Sequence, residues 1–249
     1  MKTTSRIAAY ALAAGLITLG LYVLAAVVRG PEVEFIQWNP VHAVVLTVFG
    51  LAGGAAWGSR RALEGWKTLE VILTANLALV FGLLFLGWAI VWELVKPLNT
   101  VLPGLRDLFY GFWFIASIVA AYIIRKPGAA LAAETLAALA EFLAGGEWGL
   151  TILISGLVQG AMAELVFAAV RHERYSLPVL AVAGAAAGVG SLIVDYLFWY
   201  STLTAGVLVV MLIARVISGA ILAGWLGKVI GDGLDRAGAL GSFRIAYQE

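Results

Sequence analysis

Eight stretches of the chain stay apolar for the roughly 20 residues that a helix needs to cross a hydrocarbon core, and few folds survive that constraint. They run over 7–28, 41–58, 68–95, 109–124, 127–144, 150–170, 177–199 and 203–230. Of the 249 residues, 62% are hydrophobic and only 12% charged. That is too little polar surface to cover a water-soluble globule, so lipid must act as the solvent. In lipid each backbone N–H and C=O must be satisfied inside the protein, which leaves helices or closed barrels. No strand-like alternation is present, and the expected class is an all-α polytopic transmembrane bundle. The first stretch, after Met1 and Lys2, resembles a signal peptide, but its apolar core is longer than such a region usually is; we read it as a retained helix.

Several ends carry punctuation. Asn39-Pro40, Lys126-Pro127 and Leu177-Pro178 read as helix starts. Pro97 and Pro103 hold a polar loop, and Asp232-Gly233 is expected to close the last helix. With the N-terminus in the cytoplasm and the spans alternating, the inner side collects Lys2, Arg6, Arg60, Arg61, Lys67, Arg125, Lys126, Arg171, Arg174, Lys228, Arg236 and Arg244. The outer loops collect Arg29, Lys96 and Arg106, and Arg215 falls within a helix. Cations concentrate on the cytoplasmic side of membrane proteins, so this orientation, with both termini inside the cell, is the expected one. The net charge of +1 gives no reason to expect a nucleic-acid partner. With no cysteine and only His42 and His172, there is little material for a metal site or a Ser-His triad, and neither a metal nor a cofactor is expected.

Ionisable residues inside a membrane are costly and persist with a partner, a wet cavity or a function. The candidates are Glu93, Glu134, Glu141, Glu164, Asp195 and Arg215, with Gln159 as a neutral companion. At about 1.5 Å rise per residue, Glu134 lies roughly 10 Å and Glu141 roughly 21 Å from the inner end of their span. On the same scale Gln159 lies roughly 14 Å, Arg215 roughly 18 Å and Glu164 roughly 21 Å from the outer ends of theirs. Two layers follow. Glu134, Glu164 and Arg215 form a deep layer, read as a structural ion pair because a lone buried cation needs an acid. Glu141, Gln159 and Asp195 form an upper layer open to the outside. Trp113, Trp148, Trp199, Tyr200, Tyr196 and Tyr110 lie at that same level. Some of these belong to the aromatic belt of any membrane protein. Acids and tryptophan faces together would also suit a flat cationic ligand.

Thr74, Ala78 and Gly82 repeat every four residues in the third span, a spacing that lets another helix approach closely, and an external partner is one expected occupant of that stripe. No Gly-rich loop ends in Gly-Lys-Ser/Thr, so ATP binding of the P-loop kind is not expected. Gly188-Val-Gly190 lies within an apolar helix and reads as packing. No nucleophile shares a depth with a base, and no enzymatic or catalytic residue is assigned.

From about Trp66 onward the chain resembles the YkoE-type S components of energy-coupling factor (ECF) transporters. The resemblance is carried by Tyr110-Gly-Phe-Trp-Phe-Ile115, Ala120-Ala-Tyr-Ile-Ile-Arg-Lys-Pro-Gly-Ala-Ala130, Val158-Gln-Gly160 with Ala163-Glu164, Tyr175-Ser-Leu-Pro-Val179, and Ile217-Ser-Gly-Ala220 with Leu222-Ala-Gly224. It implies a six-helix core over 66–249, preceded here by an additional pair of helices in 1–65. It also implies capture of thiamine or its hydroxymethylpyrimidine precursor (HMP) from outside, and delivery with a transmembrane coupling subunit driven by two ABC-type ATPases. By the same resemblance the Thr74, Ala78 and Gly82 stripe would dock the coupling subunit. Gln159, Asp195, Trp199 and Trp148 would hold the vitamin, with Glu141, Trp113 and Tyr200 beside them. The alternative is a stand-alone cation-coupled transporter with Glu134 and Glu164 as a proton relay.

Overall fold

The computed structural model describes residues 65–243 and 245. The expected spans at 7–28 and 41–58, and the start at Asn39-Pro40, lie outside the described residues. Six helical rods follow, with no strand among the described residues: α1 (Thr68–Leu94), α2 (Leu105–Ile124), α3 (Ala129–Leu143), α4 (Thr151–Ala169), α5 (Leu177–Tyr200) and α6 (Ala205–Arg236). Each lies within a few residues of an apolar stretch read from the sequence, because lipid enforces helix wherever that stretch is long enough. Five of the rods are long and apolar enough to span a membrane; α3, at 15 residues, is shorter.

Three ends differ from expectation. α2 begins four residues earlier than read, as a 3-10 turn over Leu105–Phe114, and so draws Asp107 into the bundle. α6 passes through Asp232-Gly233 and stops at Arg236, because Asp232 is engaged sideways, accepting from Tyr122 Oη at 2.6 Å and from Lys228 Nζ at 2.6 Å. α3 starts at Ala129 after Gly128 in the left-handed region, with no cap from its own flanking side chains. Glu164 of α4 provides the cap instead, accepting from the backbone N–H of Gly128 at 2.6 Å and of Ala130 at 3.1 Å. An anion there also meets the positive end of the helix dipole.

α2 is the axis of the bundle: every residue from Ile115 to Ile124 is buried. α1 and α6 turn broad apolar faces outward, with Leu79, Val80, Leu83, Val209, Ile213 and Ile217 all exposed, as lipid-facing helices should. Backbones come close where side chains vanish. A Cβ on Gly184 of α5 would sit 2.1 Å from the carbonyl oxygen of Gly219 in α6, so glycine is required at that crossing.

The Thr74, Ala78 and Gly82 stripe of α1, expected to dock a partner, packs against α3 within the chain. Ala78 is 2% exposed and Thr74 is buried. A Cβ on Gly82 would lie 2.6 Å from the carbonyl oxygen of Ala137 and 2.6 Å from Ala140 Cβ in α3. The stripe allows α1 to seat against alanine-rich α3, and the spacing that permits close approach is spent inside the bundle.

Candidate functional site

A cavity of about 330 Å³ opens at one end of the bundle, where α1, α3 and α5 end and α2 and α4 begin. All seven residues expected at a ligand site (Trp113, Glu141, Trp148, Gln159, Asp195, Trp199 and Tyr200) line it. They converge because their depths match and because the last turn of α5, Tyr196–Tyr200, widens to π-helical geometry. The wider turn lets Trp199 and Tyr200 face the same space as Asp195.

The walls are aromatic. Trp113 meets Trp92 at 5.4 Å, Tyr110 at 5.2 Å and Trp148 at 5.5 Å between ring centres, all edge to face, the geometry that ring quadrupoles favour. At the mouth the Arg106 guanidinium lies 3.8 Å above the Trp92 ring and pairs with Glu93 at 2.8 Å, which also meets Lys96 at 3.1 Å. Glu93 is thus an exposed mouth residue rather than an intramembrane acid.

The buried charges are arranged differently from the two layers read in the sequence. Arg215 is fully buried, at 0% exposure. Its Nε donates to Asp107 Oδ1 at 2.5 Å, its Nη1 donates to Ser191 Oγ at 3.0 Å, and its Nη2 pairs with Asp195 Oδ2 at 2.7 Å. The Tyr110 ring covers the guanidinium at 3.7 Å. The expected pairing of Arg215 with Glu134 or Glu164 is therefore replaced by a pairing with two aspartates. Glu164 lies at the opposite end of the bundle, where it caps α3 and meets His172 Nε2 at 2.8 Å. Glu134 lines the cavity and accepts from the backbone N–H of Ser117 at 2.8 Å. Asp195 is correspondingly less free than an acid awaiting a cation, because it already has one.

Glu141 is the contrasting case. It is 3% exposed and lines the cavity. Among the described residues its Oε1 has no hydrogen-bond partner, and the carboxylate lies beside the indole of Trp113, itself 7% exposed. Leaving a buried polar atom unpaired is costly, more so on a charged group, and one that faces a cavity is what a ligand would complete. Among the described residues no three His, Asp or Glu side chains gather as they would around a metal ion.

Two contributors were missed in the sequence. Asp107 was placed in a loop because α2 was read as starting at 109. Trp92 carries a signal that was available: Phe81, Phe85, Trp88 and Trp92 recur at intervals of four, three and four residues, one face of a helix, and Trp92 is buried at its cavity end.

This architecture matches known proteins. The profile of a family described as "ABC-type cobalt transport system, permease component" matches residues 69–190. The chain is 41% identical over 192 residues to a Bacillus subtilis (strain 168) protein assigned as the HMP/thiamine permease protein YkoE, covering 75% of this chain and 93% of that one. It is 40% identical to a solved S component of an ECF transporter, with a TM-score of 0.68 over 74% of this chain and 92% of that one. A relative this similar, matched over nearly its whole length, together with a cavity-bearing helical bundle in a membrane, assigns the chain to the YkoE-type S components, the substrate-binding membrane subunits of ECF importers.

Proposed function

We propose that this subunit captures thiamine or HMP at the cavity and delivers it across the plasma membrane together with a coupling subunit and two ABC-type ATPases, itself carrying out no catalysis and binding no ATP. The cavity faces outward and both termini lie in the cytoplasm in this reading, as the distribution of Lys and Arg supports. The observation that carries it is the aromatic cavity in which the Glu141 carboxylate, beside the Trp113 indole, keeps one oxygen without a hydrogen-bond partner among the described residues. Thiamine combines a positively charged thiazolium with an aminopyrimidine. Ring faces and a carboxylate suit the first, and hydrogen-bonding side chains suit the second. The relative assigned as an HMP/thiamine permease points the same way. A stand-alone proton-coupled carrier draws less support, since Glu134 lines the cavity while Glu164 is committed to capping α3 at the other end.

The test is a titration of the detergent-purified chain with thiamine, following tryptophan fluorescence, with HMP as competitor. Saturable quenching reversed by HMP is expected, given four tryptophans in the wall. A folded protein whose signal responds to neither compound would overturn the substrate. Uptake by cells expressing the chain should require the ATPases, and uptake that follows the proton gradient without them would favour the carrier reading.

A further inference from the structure

The chain that precedes α1 leaves the bundle at a pinned point. The carbonyl of Gly65 accepts from Lys126 Nζ at 3.0 Å, and the same buried ammonium pairs with Glu70 of α1 at 2.7 Å. That carboxylate also accepts from the backbone N–H of Lys67 at 2.7 Å. Lys126 lies just before α3, so residues 1–64 depart from beside the starts of α1 and α3. Beyond that point an apolar groove of about 410 Å³ runs between the two helices, with Ala75, Leu79 and Leu83 on one side and Leu136, Leu139 and Leu143 on the other. At 1.5 Å per residue it lies about 10 to 22 Å from the helix starts. Asn76 is exposed on the same flank of α1, one turn from Leu79. Lipid tails offer its amide no hydrogen bond, whereas a neighbouring helix can.

We propose that the apolar stretch 41–58 of this chain fills the groove, antiparallel to α1. Only residues 59–64 separate it from Gly65, and so short a connection reaches about 25 Å at most, roughly two helix diameters. Counted back from residue 58, the depth of the groove falls on about residues 43–51. Ala43, Thr47, Gly50 and Gly54 recur at intervals of four, three and four residues, which puts them on one face. Small residues at that spacing let helices approach closely. Thr47, on that face, brings a hydroxyl to within about one turn of the depth of Asn76. So seated, the segment braces from outside the two helices that carry Trp92 and Glu141 to the cavity.

The chain has no cysteine, so thiols introduced into the full-length protein report proximity directly. Ala43→Cys with Leu83→Cys places two thiols at matched depth, about 22 Å from the helix ends nearest the connection. Ala43→Cys with Val209→Cys is the control, since Val209 is exposed on α6 at a similar depth in a hydrocarbon core of about 30 Å. Both are oxidised in membranes that also hold the coupling subunit and the ATPases. A disulfide requires Cα atoms within about 7 Å, so the groove pair should form an intrachain bond at least about fivefold more efficiently than the control. Adding Gly50→Leu to the groove pair should reduce that yield. Equal yields from the two pairs, or a yield that Gly50→Leu leaves unchanged, would overturn the proposal. If the double variant does not fold, Leu83→Cys alone carries a benzophenone maleimide and is irradiated in the same membranes. Adducts to residues 41–58 of the same chain are expected. Adducts to a second copy, to the coupling subunit or to lipid would instead give the groove another occupant and overturn the assignment.

Discussion

The two ends of the bundle use the same kinds of residues to different effect. At the end away from the cavity, several charged groups find partners within the protein. Glu164 accepts from two backbone amides and meets His172. Lys126 pairs with Glu70 at 2.7 Å and donates to Gly65 O at 3.0 Å, and Tyr122, Lys228 and Asp232 hydrogen-bond one another. At the cavity end Arg215 forms ion pairs with two aspartates, yet Glu141 Oε1 has no hydrogen-bond partner among the described residues. Carboxylates buried in a membrane protein are therefore not a uniform class. Those whose partners belong to the chain hold the scaffold, and one without them is, on the function proposed above, where a ligand completes the structure.

This contrast can be broken by mutation. The largest effect is expected from Arg215→Met, which strands Asp107 and Asp195 without a cation; a loss of about 3–5 kcal/mol should appear as a collapse of folded yield in detergent. Retention of wild-type thermal stability would remove Arg215 from the scaffold. Glu164→Gln comes next. It weakens the charge-assisted cap of α3 and the His172 contact and should cost about 1.5–3 kcal/mol in thermal unfolding, with thiamine affinity of the folded protein unchanged. A selective loss of binding would contradict its purely structural placement. Gly82→Val forces a Cβ against Ala137 and Ala140 and should cost about 1–3 kcal/mol. Ala78→Leu should behave similarly, lowering folded yield rather than only blocking assembly with a coupling subunit. Normal stability with failed assembly would restore the outward-facing reading of that stripe. Smallest is Trp113→Phe, which keeps a ring but removes the indole N–H beside Glu141. Thiamine affinity should fall by about 0.5–2 kcal/mol with little change in melting temperature, and an unchanged affinity would take Trp113 out of the binding wall.

Part of this was readable before any fold was known. Asp195, Trp199, Gln159 and Glu141 could be placed at one level because helical rise converts sequence position into depth. Asp107 could not, since a four-residue shift in the start of α2 moves it from a loop into the bundle. Nor could the partner of Arg215. Two acids, Glu134 and Glu164, were read at its depth, and neither is its partner, because the way each helix is turned brings Asp107 and Asp195 to it instead. The Thr74, Ala78 and Gly82 stripe has the same limit: its spacing announces a close approach but not whether α3 or another subunit makes it.

The sequence by itself determined that the chain lives in lipid, where its described helices begin and end to within a few residues, and at what depth most of its polar groups lie. These are properties of position along one dimension, imposed by the thickness of the membrane and the need to satisfy the backbone within it. Only the tertiary structure decided which acid Arg215 holds, that the small-residue face is buried, and that Glu141 is left facing a cavity with no cation of its own among the described residues. Those depend on the rotation of each helix about its axis and on its neighbours, and many residues far apart in the chain contribute to that choice at once.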